Sequence, residues 1–117
     1  MHAAAVLILE PSLEIRSITA PFFLATKLEA FKGRGGRDYF ASHDLEDVLS
    51  VIDGRPELSG EVRATSDDLR AYLAREFTSL LRDSRFVDAL PGHLPPDTAS
   101  QSRIPILLNR IEELTER

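Results

Sequence analysis

The stretch Leu13-Glu14-Ile15-Arg16-Ser17-Ile18-Thr19, followed by Ala20 and Pro21, decides how the fold of this chain is read. Apolar and polar residues alternate through it at close to period two, the spacing of a strand with one wet face. Upstream, residues 5–10 form a compact and mostly apolar run, and Pro11-Ser12 supplies turn chemistry between the two. Together they read as a β-hairpin within residues 1–19. Pro21 then suits the first turn of a helix, where its missing N–H costs nothing. A lone two-stranded hairpin is marginal in water and exposes unpaired edges. Either the later helices cover it, or it joins a larger sheet whose other strands lie on another segment, and the second arrangement is the one expected.

Everything after Ala20 reads as helix. Leu24, Leu28 and Phe31 recur at i, i+4, i+7 and make a buried stripe through Pro21–Lys32, with Gly33 ending it through a left-handed residue. Ser42 is an N-cap, Asp44 sits in the first turn behind it, and Leu45, Val48, Leu49 and Ile52 form the core face of a helix that Gly54 stops. Pro56–Arg63 reads as a short helix. Ser66 opens a longer one with Leu69, Leu73, Phe77 and Leu80 on one side, and Phe86, Val87 and Leu90 extend the helical region to Pro91-Gly92. Residues 91–103 read as a surface loop, and Ile104–Arg117 as a closing helix. The expected class is α+β: an N-terminal β-hairpin and about five helices, as a single or partial domain with the hairpin in 1–19 and the helical part in 20–117.

The 117 residues suffice for one domain, and 43% hydrophobic with 28% charged residues is a globular composition. There is no cysteine, which removes disulfides and thiolate metal sites and fits a reducing compartment. No apolar run approaches the roughly 18 residues of a membrane span. No cation precedes the apolar opening, and Glu10-Pro11 stands where a cleavage site would be, so no signal peptide is expected and the cytoplasm is the expected location. The net charge of -5 is uneven, because residues 16–37 carry five Lys and Arg against Glu29 alone. A broad nucleic-acid-coating face is excluded, but one local polyanion site is not.

Lys27 lies off the Leu24/Leu28/Phe31 stripe near the end of its helix, and Arg34 and Arg37 follow in the basic loop. Asp44 and Asp47, three apart, project from neighbouring positions of the next helix. If the two helices pack as a hairpin, an ammonium and two carboxylates meet at one cleft. Lys suits a phosphate as a compact charge, and Asp can orient a water, a metal or a hydroxyl. The same spacing also serves a plain surface ion pair worth under about 1 kcal/mol. Gly33-Arg34-Gly35-Gly36-Arg37 lacks the G-x4-G-K-[ST] pattern of a P-loop, and His2, His43 and His93 have no zinc spacing.

The run Thr19–Asp53, above all Ala25-Thr26-Lys27-Leu28-Glu29-Ala30-Phe31 with His43-Asp44-Leu45-Glu46-Asp47, resembles the C-terminal half of AbiEii-type nucleotidyltransferases, toxin-related members of the polymerase-β-like superfamily. The family's K-x6-R element matches Lys27 and Arg34. Its R-D-x-x-D element matches Asp44 and Asp47, with His43 in place of the Arg and Arg37 as a substitute cation. The resemblance implies that Lys27, with Arg34 and Arg37, holds a nucleoside triphosphate. It also implies that Asp44 or Asp47 positions the hydroxyl of an RNA or protein acceptor, with Mg2+ shared between enzyme and phosphates, and it raises a toxin–antitoxin pairing. The superfamily's metal site needs Gly-Ser followed by D-x-D, and neither occurs in this sequence. The expectation is a chain inactive by itself: a truncated frame, a split enzyme or a remnant that works as a homodimer or with a missing half. The rival expectation is a non-catalytic interaction protein that dimerises through its hairpin edge.

Overall fold

The computed structural model describes residues 13–34 and 38–116, with the side chains of the first helix from Ala20 onward. Its elements are α1 (Leu13–Gly33), α2 (His43–Gly54), α3 (Leu58–Arg63), α4 (Asp67–Leu81), α5 (Ser84–Ala89), a 3-10 turn (Leu90–His93), α6 (Thr98–Gln101) and α7 (Ile104–Leu114). No strand is found among the described residues, so the α+β expectation is overturned and the described part is all-helical.

The correction has a local cause. Residues 13–19 were expected to be the second strand of the hairpin, but they are the opening turns of α1. Strict alternation fails at Ser17-Ile18, whereas Ile15 and Ile18 stand three apart, a spacing that serves a helix equally well. Pro21 does not start a helix but lies inside one. Without an N–H it leaves the Ser17 carbonyl without its rung, which in a helix interior costs about 3 kcal/mol or more. Burial of Ala20, Pro21, Leu24, Leu28 and Phe31 along the same helix offsets that cost. The first proposed strand, residues 5–10, lies outside the described residues. With its partner segment helical, the two-segment hairpin edge invoked for dimerisation is gone.

Elsewhere the differences are smaller. Ser42 and Ser66 cap α2 and α4, accepting hydrogen bonds from the backbone N–H of Leu45 and Leu69. Gly33 is still helical, and its φ is not left-handed. The region read as a surface loop contains the 3-10 turn through Pro91 and Gly92 and the short α6, which Asp97 caps by accepting from Ser100.

One core joins these pieces. Leu24, Leu28 and Phe31 of α1 meet Leu45, Val48, Leu49 and Ile52 of α2, Leu58 and Val62 of α3, and Leu73, Phe77 and Leu80 of α4. Leu107, Ile111 and Leu114 of α7 join it, as do Tyr39, Phe86, Ala89 and Leu90. α1 packs on α2, α3 and α4, and α7 closes over the same three helices from its own side. The antiparallel approach of α1 and α2 that a short connection favours brings the end of one helix beside the start of the next, and this positions the site. No helix among the described residues is long and apolar enough to cross a membrane.

Candidate active site

The site lies where the last turns of α1 face the first turns of α2. Lys27 reaches across from α1, and its Nζ is 2.8 Å from an Asp47 oxygen and 3.9 Å from Asp44. One helical turn before it, Phe23 places its ring centroid 5.6 Å from the same Nζ. Arg34, just past the end of α1, donates from Nη1 to Asp44. Asp44 thus receives both cations, and it is the one buried charged residue among the described residues. Its place in the first turn of a serine-capped helix suits a carboxylate, because unpaired N–H groups and the helix dipole favour negative charge there.

These groups line an open cleft of about 490 Å³, together with Phe31, Asp38, Ala41, Ser42 and His43. The structure therefore brings together Lys27, Arg34, Asp44 and Asp47, the residues singled out from spacing. Arg37 lies outside the described residues. His43 does not serve as the missing arginine: its ring is almost fully exposed and its Nδ1 lies 3.4 Å from Glu46. Sequence reasoning missed Asp38 as a wall of the cleft. Its Oδ1 accepts from the backbone N–H of Ala41 at 2.9 Å and so shapes the turn before α2. An Asp three residues before the turn's end, able to accept from a backbone N–H, was the available signal.

The electrostatics of the cleft are close to self-neutralised, with two cations against three carboxylates. A bare polyanion entering it meets Asp38, Asp44 and Asp47 as well as Lys27 and Arg34. An anion carrying its own divalent cation meets less repulsion. The Lys27–Asp47 pair is partly solvated, with Asp47 46% exposed, so giving it up for a better partner costs under about 1 kcal/mol. Arg34 is held still more loosely, since its side chain is 71% exposed.

No family model, curated protein or solved structure matches the chain. The cleft is read from its own geometry.

Among the described residues no group of three or more His, Asp or Glu side chains is placed to hold a metal ion. Asp44 and Asp47, which the resemblance assigns to the acceptor hydroxyl and not to magnesium, are engaged by Lys27 and Arg34. The residues present do not make an Mg2+ site, and no chemical step is routed through one here.

Proposed function

We propose that this chain is the nucleotide-gripping part of a nucleotidyltransferase-like protein acting in the cytoplasm. The observation that carries the reading is the convergence of Lys27, Arg34, Asp44 and Asp47, from separate stretches of sequence, on one open cleft. Lys27 and Arg34 exchange their carboxylate partners for the phosphates of a metal-complexed nucleoside triphosphate. Asp44, buried at the start of α2, holds that pair in register until the phosphates take its place. Asp47, more exposed, accepts the hydrogen bond of an acceptor hydroxyl on RNA or protein. In the reaction that oxygen bonds to the α-phosphorus, the bond to the β-phosphate breaks, pyrophosphate leaves, and the hydroxyl proton passes to a carboxylate.

Positioning of this kind does not replace the charge stabilisation that phosphoryl transfer needs, usually the largest catalytic contribution. With no Gly-Ser and no D-x-D in the sequence, the chain on its own binds but does not turn over. Catalysis requires metal-holding carboxylates from a further segment or a partner, a division compatible with a toxin–antitoxin setting.

Titration calorimetry with Mg-ATP, and with the other Mg-nucleoside triphosphates in turn, tests the reading. Measurable affinity that is lost in Lys27→Ala supports it. No heat at millimolar concentration of any of them overturns it.

A further inference from the structure

Beside Asp44 and Asp47, the cleft is walled by Asp38, Ala41 and Ser42 of the segment Asp38–Ser42, a turn with no regular structure to stiffen it. One side chain in that segment is buried, Tyr39, and it points away from the cleft into the body of the molecule. Its ring stands 5.6 Å from that of Phe31, which lines the cleft from α1, and 6.1 Å edge-on from that of Phe86. Its hydroxyl donates to Asp83 at 2.9 Å, and Arg85, bonded to the same carboxylate at 2.8 Å, lies over the ring. Its own carbonyl oxygen lies 2.6 Å from His93 Nε2, the geometry of an N–H donor. Four residues of segment 83–93, distant in sequence and absent from the cleft, thus converge on one residue of the wall.

We infer that Tyr39 is a positioning residue, tethering the Asp38–Ser42 wall to segment 83–93 and so setting the width of the cleft. The consequence runs through two neighbours. Asp38 fixes the turn by accepting from Ala41 N–H, and Ser42 caps α2 by accepting from Leu45 N–H at 3.1 Å. If the wall loosens, the cap loosens, and with it the first turn of α2 that aims Asp44. The effect on ligand binding rests on the nucleotide reading of the cleft, whereas the tether itself does not.

Tyr39→Phe removes the hydroxyl and keeps the ring between Phe31 and Phe86. In ligand-free protein, amide hydrogen exchange of Ala41 and Leu45 should accelerate about tenfold, the size expected for losing one charge-assisted hydrogen bond. The core amides of Leu107 and Ile111 should stay as they are. Mg-ATP affinity should fall several-fold, and Asp83→Ala should reproduce both effects. Unchanged exchange at Ala41 and Leu45, or equal acceleration at Leu107 and Ile111, overturns the tether. Local acceleration with unaltered Mg-ATP affinity, in a protein that binds Mg-ATP, overturns the positioning role. Local acceleration in a protein that binds no nucleotide supports the tether and refutes the nucleotide reading instead.

Discussion

The two ends of α2 make an instructive pair. At the N-terminal end, Asp44 is met by Lys27 and Arg34, and about 490 Å³ stands open beside them. At the C-terminal end, Asp53 is met by Arg103, whose Nε and Nη2 lie 2.9 and 2.8 Å from one carboxylate oxygen. There Arg110 also donates to the carbonyls of Ile52 and Asp53. The adjoining Arg55–Glu61 pair is doubly bonded, and the crevice beside it has no room for a water. The residue types are the same, but the settings differ. At the C-terminal end the arginines complete the unpaired carbonyls of a helix terminus, a structural task with no vacancy left over. At the N-terminal end the helix needs no cation, since Ser42 and Asp44 already suit its free N–H groups, and the cations there are available for something else.

This contrast is best broken at Arg110. Arg110→Ala strands two carbonyls at a partly buried helix end and should lower unfolding free energy by about 2 kcal/mol. Urea denaturation measures the loss, and Mg-ATP affinity should be unaltered. Lys27→Ala should do the reverse. Affinity should drop at least about tenfold, equal to roughly 1.4 kcal/mol. Stability should change by under about 1 kcal/mol, because the pair removed is partly solvated. Parallel calorimetry and denaturation on the two variants separate the ends cleanly, and a Lys27→Ala protein that unfolds as readily as Arg110→Ala would erase the distinction.

Smaller effects sharpen the picture. Asp47→Asn removes one of three carboxylates facing the ligand and should raise affinity for metal-free ATP by about threefold, in line with a single screened charge contact. The gain should shrink when magnesium is supplied. The smallest effect concerns pH. Arg85, through its side chain and then its backbone N–H, holds the Asp83 carboxyl well below the usual carboxylate range, with Tyr39 adding to the effect. A folded value below the unfolded one means that the contribution is complete above the ordinary carboxylate range, starts to decline there, and is lost as pH falls on towards the lower folded value. The stability difference between the native chain and Asp83→Asn should therefore be level at neutral pH and narrow below about pH 4. Burial, with the Asp83 hydrogen bond, pushes the Tyr39 hydroxyl up, so it remains a donor throughout this range.

The core was legible because repeating patterns encode it. Leu45, Val48, Leu49 and Ile52 recur over about two turns between the Ser42 cap and Gly54, and every one is buried. The cleft was legible for a different reason: Lys27, Arg34, Asp44 and Asp47 lie within about two dozen residues of one another, and a short helix–helix connection leaves few ways to arrange them. Residues 13–19 defeated the same method, because seven residues sample barely two helical turns and an Ile-rich stretch fits either period. Tyr39–Asp83 and Arg103–Asp53 were invisible for want of any pattern at all. Each is a single pairing across more than forty residues, fixed by how the helices pack and not by what precedes or follows in the chain.

The occupied state of Lys27 and Arg34 has one further result. In this cleft each contact that a phosphate gains is matched by one that Asp44 or Asp47 loses. The net charge interaction that added salt can screen is therefore small. Affinity here should decline only gently from dilute to physiological buffer, and discrimination among anions will come from shape and bound metal more than from total negative charge.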